Sequence, residues 1–182
     1  MSRVILIRHT EVAEHWKGRC YGQSDVGLSA AGRLAARTIA ADLALDDRAF
    51  VITSPLRRAR FLAALIARHC GTRSVVEPRL AECHFGAWEG RSWDHIYADS
   101  GNAMMGLVTA PATFRPGGGE TTFELRDRAM AWFKSVSGQD AAVIAVAHGG
   151  PIAAIRGTLA GAPVQDWPSL VPGYGERVEF SV

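Results

Sequence analysis

At 182 residues, with 48% hydrophobic and 21% charged residues and a formal net charge of +2, the chain has the length of one ordinary domain, able to bury an ample core without disulfides. The modest charge and the scatter of the basic residues exclude an electrostatic nucleic-acid surface, because no lysine or arginine run is interleaved with aromatics. Cys20, Cys70 and Cys83 are odd in number and lack a CxxC spacing, which argues against both a disulfide framework and a zinc site and for reduced thiols that act as small apolar fillers.

The first element is Val4-Ile5-Leu6-Ile7, four aliphatic residues in a row. Such a run suits a strand buried on both faces under helices, and it is too short to cross a membrane. It passes directly into Arg8-His9, leaving no room for a secretory leader, so a cytoplasmic location is the expectation. A guanidinium and an imidazole therefore project from the carboxyl end of a core strand, where open α/β sheets bind ligands. The connection from Val12 to Leu28 is long, glycine-rich and carries aromatic and basic residues, which reads as an ordered loop over a site. His15, Tyr21 and Gln23 in it are candidates for a substrate rim.

Ser29 then has the character of an N-cap for a helix reaching about Leu45, closed by Asp46-Asp47, with Ala35, Ile39 and Leu43 as its inward stripe. Phe50-Val51-Ile52-Thr53 is a second strand. Ser54 is expected to cap a helix whose first residue is Pro55, which puts Arg57 and Arg58 where the helix dipole disfavours cations and so suggests an anion to be held. Leu62, Leu65 and Ile66 share one face of that helix, and Gly71 suits its C′ position. Ser74 to Glu77 is another short strand, Leu80 to Gly90 is irregular, and a helix begins between Ser92 and Tyr97. Residues 98–119 have no clear period and read as a lid that governs substrate choice.

Thr121 to Glu124 offers a capping box for a helix with the stripe Leu125, Ala129, Trp132 and Val136. Val143 to Ala147 is a third core strand, followed by His148-Gly149-Gly150-Pro151 and a helix at roughly Ile152 to Leu159. The glycines let the backbone come close to a ligand. Val178 to Val182 alternates as an edge strand would, and such an edge could pair with a second copy in a homodimer. The expected fold is α/β, with a mostly parallel central sheet and helices on both faces, in one domain spanning residues 1–182. Three strands end in Arg8-His9, Arg57-Arg58 and His148, two of them at helix N-termini, a set suited to a phosphate dianion.

Five elements in order resemble the histidine phosphatase superfamily, in its phosphoglycerate-mutase-like branch, from Val4 to about Arg156. Leu6-Ile7-Arg8-His9 is similar to the start of the family's Arg-His-Gly motif, and Gly18-Arg19, Gly22 and Asp25 to the loop after it. Ser54-Pro55-Leu56-Arg57-Arg58-Ala59 is similar to its Ser-Pro-Leu-x-Arg-Ala element, Leu80-Ala81-Glu82 with Phe85-Gly86 and Trp88-Glu89-Gly90 to the segment supplying its acid, and Ala147-His148-Gly149 to its second histidine. Thr10 stands where the family motif usually has glycine, and His15 where an asparagine is frequent.

The resemblance implies a small-molecule phosphate monoester as substrate, with neither metal nor cofactor and no nucleic-acid or membrane partner. It implies His9 as nucleophile, Arg8, Arg58, Arg19 and Gly149 around the phosphate, His148 as a second catalytic histidine, and Glu82 as acid. Glu89 and Glu120 compete for the acid's role. The residue types allow that chemistry: a neutral imidazole can take a phosphoryl group, and arginines stabilise the charge that develops on it. Arg-His-Thr followed by Gly18-Arg19-Cys20-Tyr21-Gly22-Gln23-Ser24-Asp25-Val26 is similar in particular to the α-ribazole-5′-phosphate phosphatases of cobalamin assembly. A broad sugar-phosphate phosphatase, a phosphoglycerate mutase and a non-catalytic phospho-ligand binder are the alternatives.

Overall fold

The computed structural model describes residues 3–43 and 49–181. Its sheet contains β1 (Arg3–Arg8), β2 (Phe50–Thr53), β3 (Ser74–Val76), β4 (Val143–Ala147) and β5 (Arg177–Ser181). Their spatial order is β3-β2-β4-β1-β5, with β5 alone antiparallel to its neighbour. The α/β class and the mostly parallel sheet are as the apolar runs predict.

The helices are α1 (Ala30–Asp42), α2 (Arg57–His69), α3 (Trp93–Ser100), the single turn α4 (Gly106–Thr109), α5 (Thr122–Val136) and α6 (Gly149–Leu159). Ile5 and Ile7 of β1 pack with Val51, Ile144 and Val146 against α1 and α2. Val4 and Leu6 point the other way, with Val143 and Ala145, against Trp132 and Phe133 of α5 and Ile152 and Ile155 of α6. Both faces of the central strands are thus dry, which is why the sequence shows unbroken aliphatic runs there. Among the described residues no helix is long and apolar enough to cross a membrane.

From β1 the chain passes through α1 to β2, on one side of the β1/β4 pair. From β4 it passes through α6 to β5, on the other. The connections diverge at the carboxyl ends of β1 and β4, the crevice where open α/β sheets bind ligands. Register completes the arrangement: Arg8 lies beside Ala147 and Thr53 beside Val146, so His9, Ser54 and His148 emerge at one level.

Several local expectations are met. Ser29 accepts the Gly32 N–H at 2.8 Å. The capping box of Thr121 and Glu124 is present. The end of α2 is a Schellman motif, with Thr72 N–H on Ala67 and Gly71 N–H on Arg68, and Gly71 at φ 64°.

Two expectations are corrected. The inward side of α1 keeps the expected Ile39 and Leu43 but includes Gly32, Ala36 and Ala40 rather than Ala35, which is exposed. Position 32 has to be glycine, because a Cβ there would lie 2.1 Å from the Glu11 carbonyl oxygen. Helix α2 starts at Arg57 rather than at Pro55, and Ser54 is not its cap. The first free N–H of α2, that of Arg57, goes instead to Asp25 Oδ1 at 2.7 Å, an anionic cap at the positive end of the dipole. The expected closure at Leu45 to Asp47 and the residue Val182 lie outside the described residues.

Residues 98–119, expected as a cover, fold into α3's last turn, α4 and two short 3₁₀ turns. They pack on a small apolar cluster around Cys20, Trp88 and Ile96, with Phe85, Trp93, Met104 and Phe114. Gly86 and Gly117 let two loops nest, since a Cβ on Gly86 would meet the Gly117 carbonyl oxygen at 2.2 Å. Cys20 and Cys83 are buried free thiols, and burial pushes the Cys20 thiol up to about 12.

Candidate functional site

His9 follows β1 and is almost fully buried. Its Nδ1 lies 2.7 Å from the Thr10 carbonyl oxygen. A carbonyl only accepts, so Nδ1 carries the hydrogen and Nε2 keeps its lone pair. Burial first, then the Arg58 cation, holds the pKa of His9 down from 6.5 to about 3, and the Thr10 bond offsets this only in part. The ring is therefore a neutral base at ordinary pH. Thr10 itself has no positive φ, so the turn after His9 is one a β-branched residue tolerates.

Arg58, in the first turn of α2, is completely buried and donates to the carbonyls of Ser24 at 2.8 Å and Gly22 at 2.5 Å. Arg8 donates to the Pro172 carbonyl at 2.7 Å. Among the described residues no carboxylate forms an ion pair with either guanidinium. Two cations thus sit in a poorly solvated place held by carbonyls and covered by tyrosine rings, with no ion-paired carboxylate, an invitation to an anion.

His148, the residue before α6, is fully buried and has its ring 5.1 Å from that of His9. Its Nε2 is hydrogen-bonded to Ser54 Oγ at 2.6 Å, which is where the hydroxyl expected to cap α2 has gone. Burial, then Arg58 and His9, pulls its pKa well below the ordinary histidine value. Buried polar atoms without any partner include Arg8 Nε, Thr10 Oγ1, Arg58 Nε and His148 Nδ1. Orphaned buried donors are rare in native proteins, and their concentration in one cluster marks a place shaped for a ligand rich in acceptor oxygens.

Glu82 reaches this cluster from the irregular segment after β3. Its Oε1 accepts from the Cys83 N–H at 2.8 Å and from the Gly150 N–H, in the first turn of α6, at 3.2 Å. A Cβ on Gly150 would stand 2.3 Å from Oε1, so only glycine leaves room for the carboxylate. Glu89 accepts from the Gln23 and Phe85 N–H groups and from Ser24 Oγ. Glu120 ion-pairs with Arg128. Both rival carboxylates are thereby tied into the scaffold.

The other residues named from the sequence are placed as follows. Tyr21 covers Arg58, whose guanidinium carbon is 5.0 Å from its ring centroid, and Gly149 and Arg19 line the cavity beside the site. Arg19 is exposed and donates to the Gly90 carbonyl. Gln23 turns inward and donates to the Glu82 carbonyl at 2.9 Å. His15 is exposed against Trp16 and does not line the cavity.

Sequence reasoning missed three contributors. Tyr174 lies over Arg8 at 4.3 Å and bonds the Tyr21 hydroxyl at 3.1 Å, roofing His9 from the C-terminal loop. Its one sequence signal is an aromatic residue between two glycines. Arg128 of α5 donates to the carbonyls of Arg79, Ala81 and Glu82, fixing the loop that carries Glu82. Ser54 orients His148. The cavity that opens beside Arg8, Glu82 and Gly149 has a volume of about 430 Å³, within the range of small-molecule sites. Among the described residues no group of three or more His, Cys, Asp or Glu could hold a metal ion.

Comparison with known proteins identifies the family and the fold. The family model "Histidine phosphatase superfamily (branch 1)" matches residues 4–180. The glucosyl-3-phosphoglycerate phosphatase of Mycolicibacterium vanbaalenii is 32% identical over 180 residues, covering 93% of this chain and 79% of the relative. The structure of the mycobacterial glucosyl-3-phosphoglycerate phosphatase with inorganic phosphate superposes with a TM-score of 0.82 at 31% identity, over 98% of this chain and 89% of that one. The α-ribazole phosphatase from Shigella flexneri also has a TM-score of 0.82, but at 22% identity over 99% of this chain and 90% of that one it shares the fold alone. The resemblance drawn from residues 18–26 to that subgroup is thus not carried further, and a cobalamin role has no support.

Proposed function

The chain belongs to the histidine phosphatase superfamily, branch 1, and is one of its phosphatases acting on small phosphate esters; from that premise we propose that it hydrolyses its ester through a phosphohistidine formed on His9. The observation that carries this reading is the state of His9: neutral, with Nδ1–H locked on Thr10 and the Nε2 lone pair free, beside two arginines that have no carboxylate partner. Nε2 attacks phosphorus, the N–P bond forms, and the bond to the leaving oxygen breaks. Arg8, Arg58 and His148 hold the non-bridging oxygens as charge builds on them. Glu82, in its protonated form, gives its proton to the departing alkoxide. A water then attacks phosphorus, loses its proton to Glu82, and the N–P bond breaks to release phosphate and restore neutral His9.

The roof of Tyr21 and Tyr174 and the wall formed by residues 98–119 would keep bulk water from the phosphohistidine until the alcohol has left. Relatives named for esters as different as glucosyl-3-phosphoglycerate and phosphoserine favour a small-ester phosphatase over one dedicated to the α-ribazole ester. The test is a panel of esters, p-nitrophenyl phosphate, glucosyl-3-phosphoglycerate, phosphoserine and α-ribazole-5′-phosphate, with His9→Ala beside the wild type. Turnover and an acid-labile phosphoryl label should both vanish in the variant. Undiminished turnover in His9→Ala would overturn the mechanism.

A further inference from the structure

The leaving-group half of the cavity differs in kind from the phosphate half. Every charged residue that lines it, Arg8 at the end of β1 and Arg19 and Glu82 in loops, comes from the phosphate end. The walls supplied by α3 to α6 and by the turn at 164–171 contain no charged residue; Trp93, Leu107, Val108, Leu125, Ala154 and Trp167 stand among them. Of the polar side-chain atoms on those walls, two of the three are already engaged, and Trp93 Nε1 is the third. Thr122 Oγ1 donates to the Leu107 carbonyl at 2.7 Å, and Trp167 Nε1 donates to the Ala162 carbonyl at 3.0 Å. Phe85 and Trp93 form an edge-to-face pair with centroids 5.9 Å apart, a rigid apolar corner.

We propose that the preferred ester of this protein carries an apolar alcohol, seated against Leu107, Val108, Trp93 and Ala154, in preference to a polyhydroxylated one. The inference rests on the phosphohydrolase reading above and gives it a substrate class. Trp93 Nε1 could meet one hydroxyl of a sugar or glycerol group entering this space, but the others would give up water without a free side-chain partner on these walls in exchange, whereas each methylene gains from leaving water. The relatives named for a glucosyl ester make the contrast informative: the chemistry is shared, and the walls set the leaving group.

The test uses primary alkyl phosphates from ethyl to hexyl, whose leaving alcohols are chemically alike, with sn-glycerol 3-phosphate matched to propyl phosphate and glucosyl-3-phosphoglycerate as a polar comparator. The expected kcat/KM rises about three- to fourfold per methylene, hence about 10²-fold from ethyl to hexyl. Propyl phosphate should exceed glycerol phosphate by about tenfold or more. Leu107→Asn should flatten the chain-length slope, and Ala154→Leu, which fills the space, should cut the advantage of hexyl over ethyl. A flat or falling series, or a preference for the polyol, overturns the inference. If no ester turns over, the phosphohydrolase reading fails, and the inference is decided by calorimetric affinities of alkyl phosphonates: a rise with chain length upholds the apolar seat and a flat series refutes it.

Discussion

Gly150→Ala separates the acid from the rest of the machinery. The alanine Cβ would stand 2.3 Å from Glu82 Oε1 and 3.2 Å from Leu125 Cδ2. Leu125 is buried in α5 and cannot retreat far, so the carboxylate has to leave the α6 N-terminus and give up the Gly150 N–H bonds at 3.2 and 3.3 Å. The helix does not suffer, since alanine in place of glycine favours a helical segment by up to about 1 kcal/mol. His9, Arg58 and His148 make no contact with the new methyl among its nearest neighbours. The loss therefore falls on proton transfer, worth about 10²–10⁴-fold. For an alkyl phosphate, whose alkoxide needs the proton, kcat should drop by about 10²-fold or more. For p-nitrophenyl phosphate, whose leaving anion is stabilised without one, the drop should stay under about tenfold on the same reasoning. Inhibition by orthophosphate should change little. Equal losses on the two esters, or none, would refute the assignment of Glu82 as acid.

Ser54→Ala leaves a fully buried His148 without its one hydrogen bond, so unfolding in urea should show a loss of about 1–3 kcal/mol together with a fall in kcat/KM; an unchanged midpoint would remove Ser54 from the site's support. Arg128→Met strips three carbonyls and Glu120 of a mostly buried guanidinium, so stability should fall by about 3 kcal/mol, with kcat reduced on alkyl esters because the Glu82 loop loses its anchor. Stability should also depend on pH in a particular direction. The folded chain keeps His9 near a pKa of about 3 and His148 well below 6.5, while the unfolded chain binds protons on both from about pH 6.5 downward, so stability is complete above pH 7 and declines by about 1.4 kcal/mol per pH unit for each histidine as the pH falls to 5. Chemical unfolding at pH 7, 6 and 5 that gives a constant free energy would contradict the buried neutral pair.

The features legible in the sequence obey local rules, and those it hid depend on distant partners. β1, β2 and β4 announced themselves because strands covered on both faces need aliphatic side chains in succession. In the α1 stripe Ile39 and Leu43 were placed correctly and Ala35 was not, because an alanine-rich helix offers neighbouring apolar faces and the choice between them falls to Gly32, where the Glu11 carbonyl leaves no room for a side chain. Ser54 before a proline satisfies every rule for an N-cap, yet its hydroxyl is claimed by a histidine 94 positions away. Tyr174 and Arg128 likewise act on partners that no window of sequence brings near.

The same distinction separates the two halves of the site. Holding a phosphate requires charge and donors at strand ends and helix N-termini, and such residues stand out wherever they occur. Seating an apolar alcohol requires leucine, valine, alanine and tryptophan, the residues that also fill a core, and their type does not reveal whether they face a neighbour or an opening. The loop from Gly18 to Val26, which suggested one particular ester, shows the consequence. Its Gln23 and Ser24 are spent on Glu82 and Glu89, so they build the phosphate end and carry no information about what leaves. The leaving group is set instead by apolar residues of segments 104–108, which the sequence marked only as part of an aperiodic cover, and 164–171, which it did not mark at all, and a change of substrate in this fold can therefore occur without altering a charged residue of the cavity.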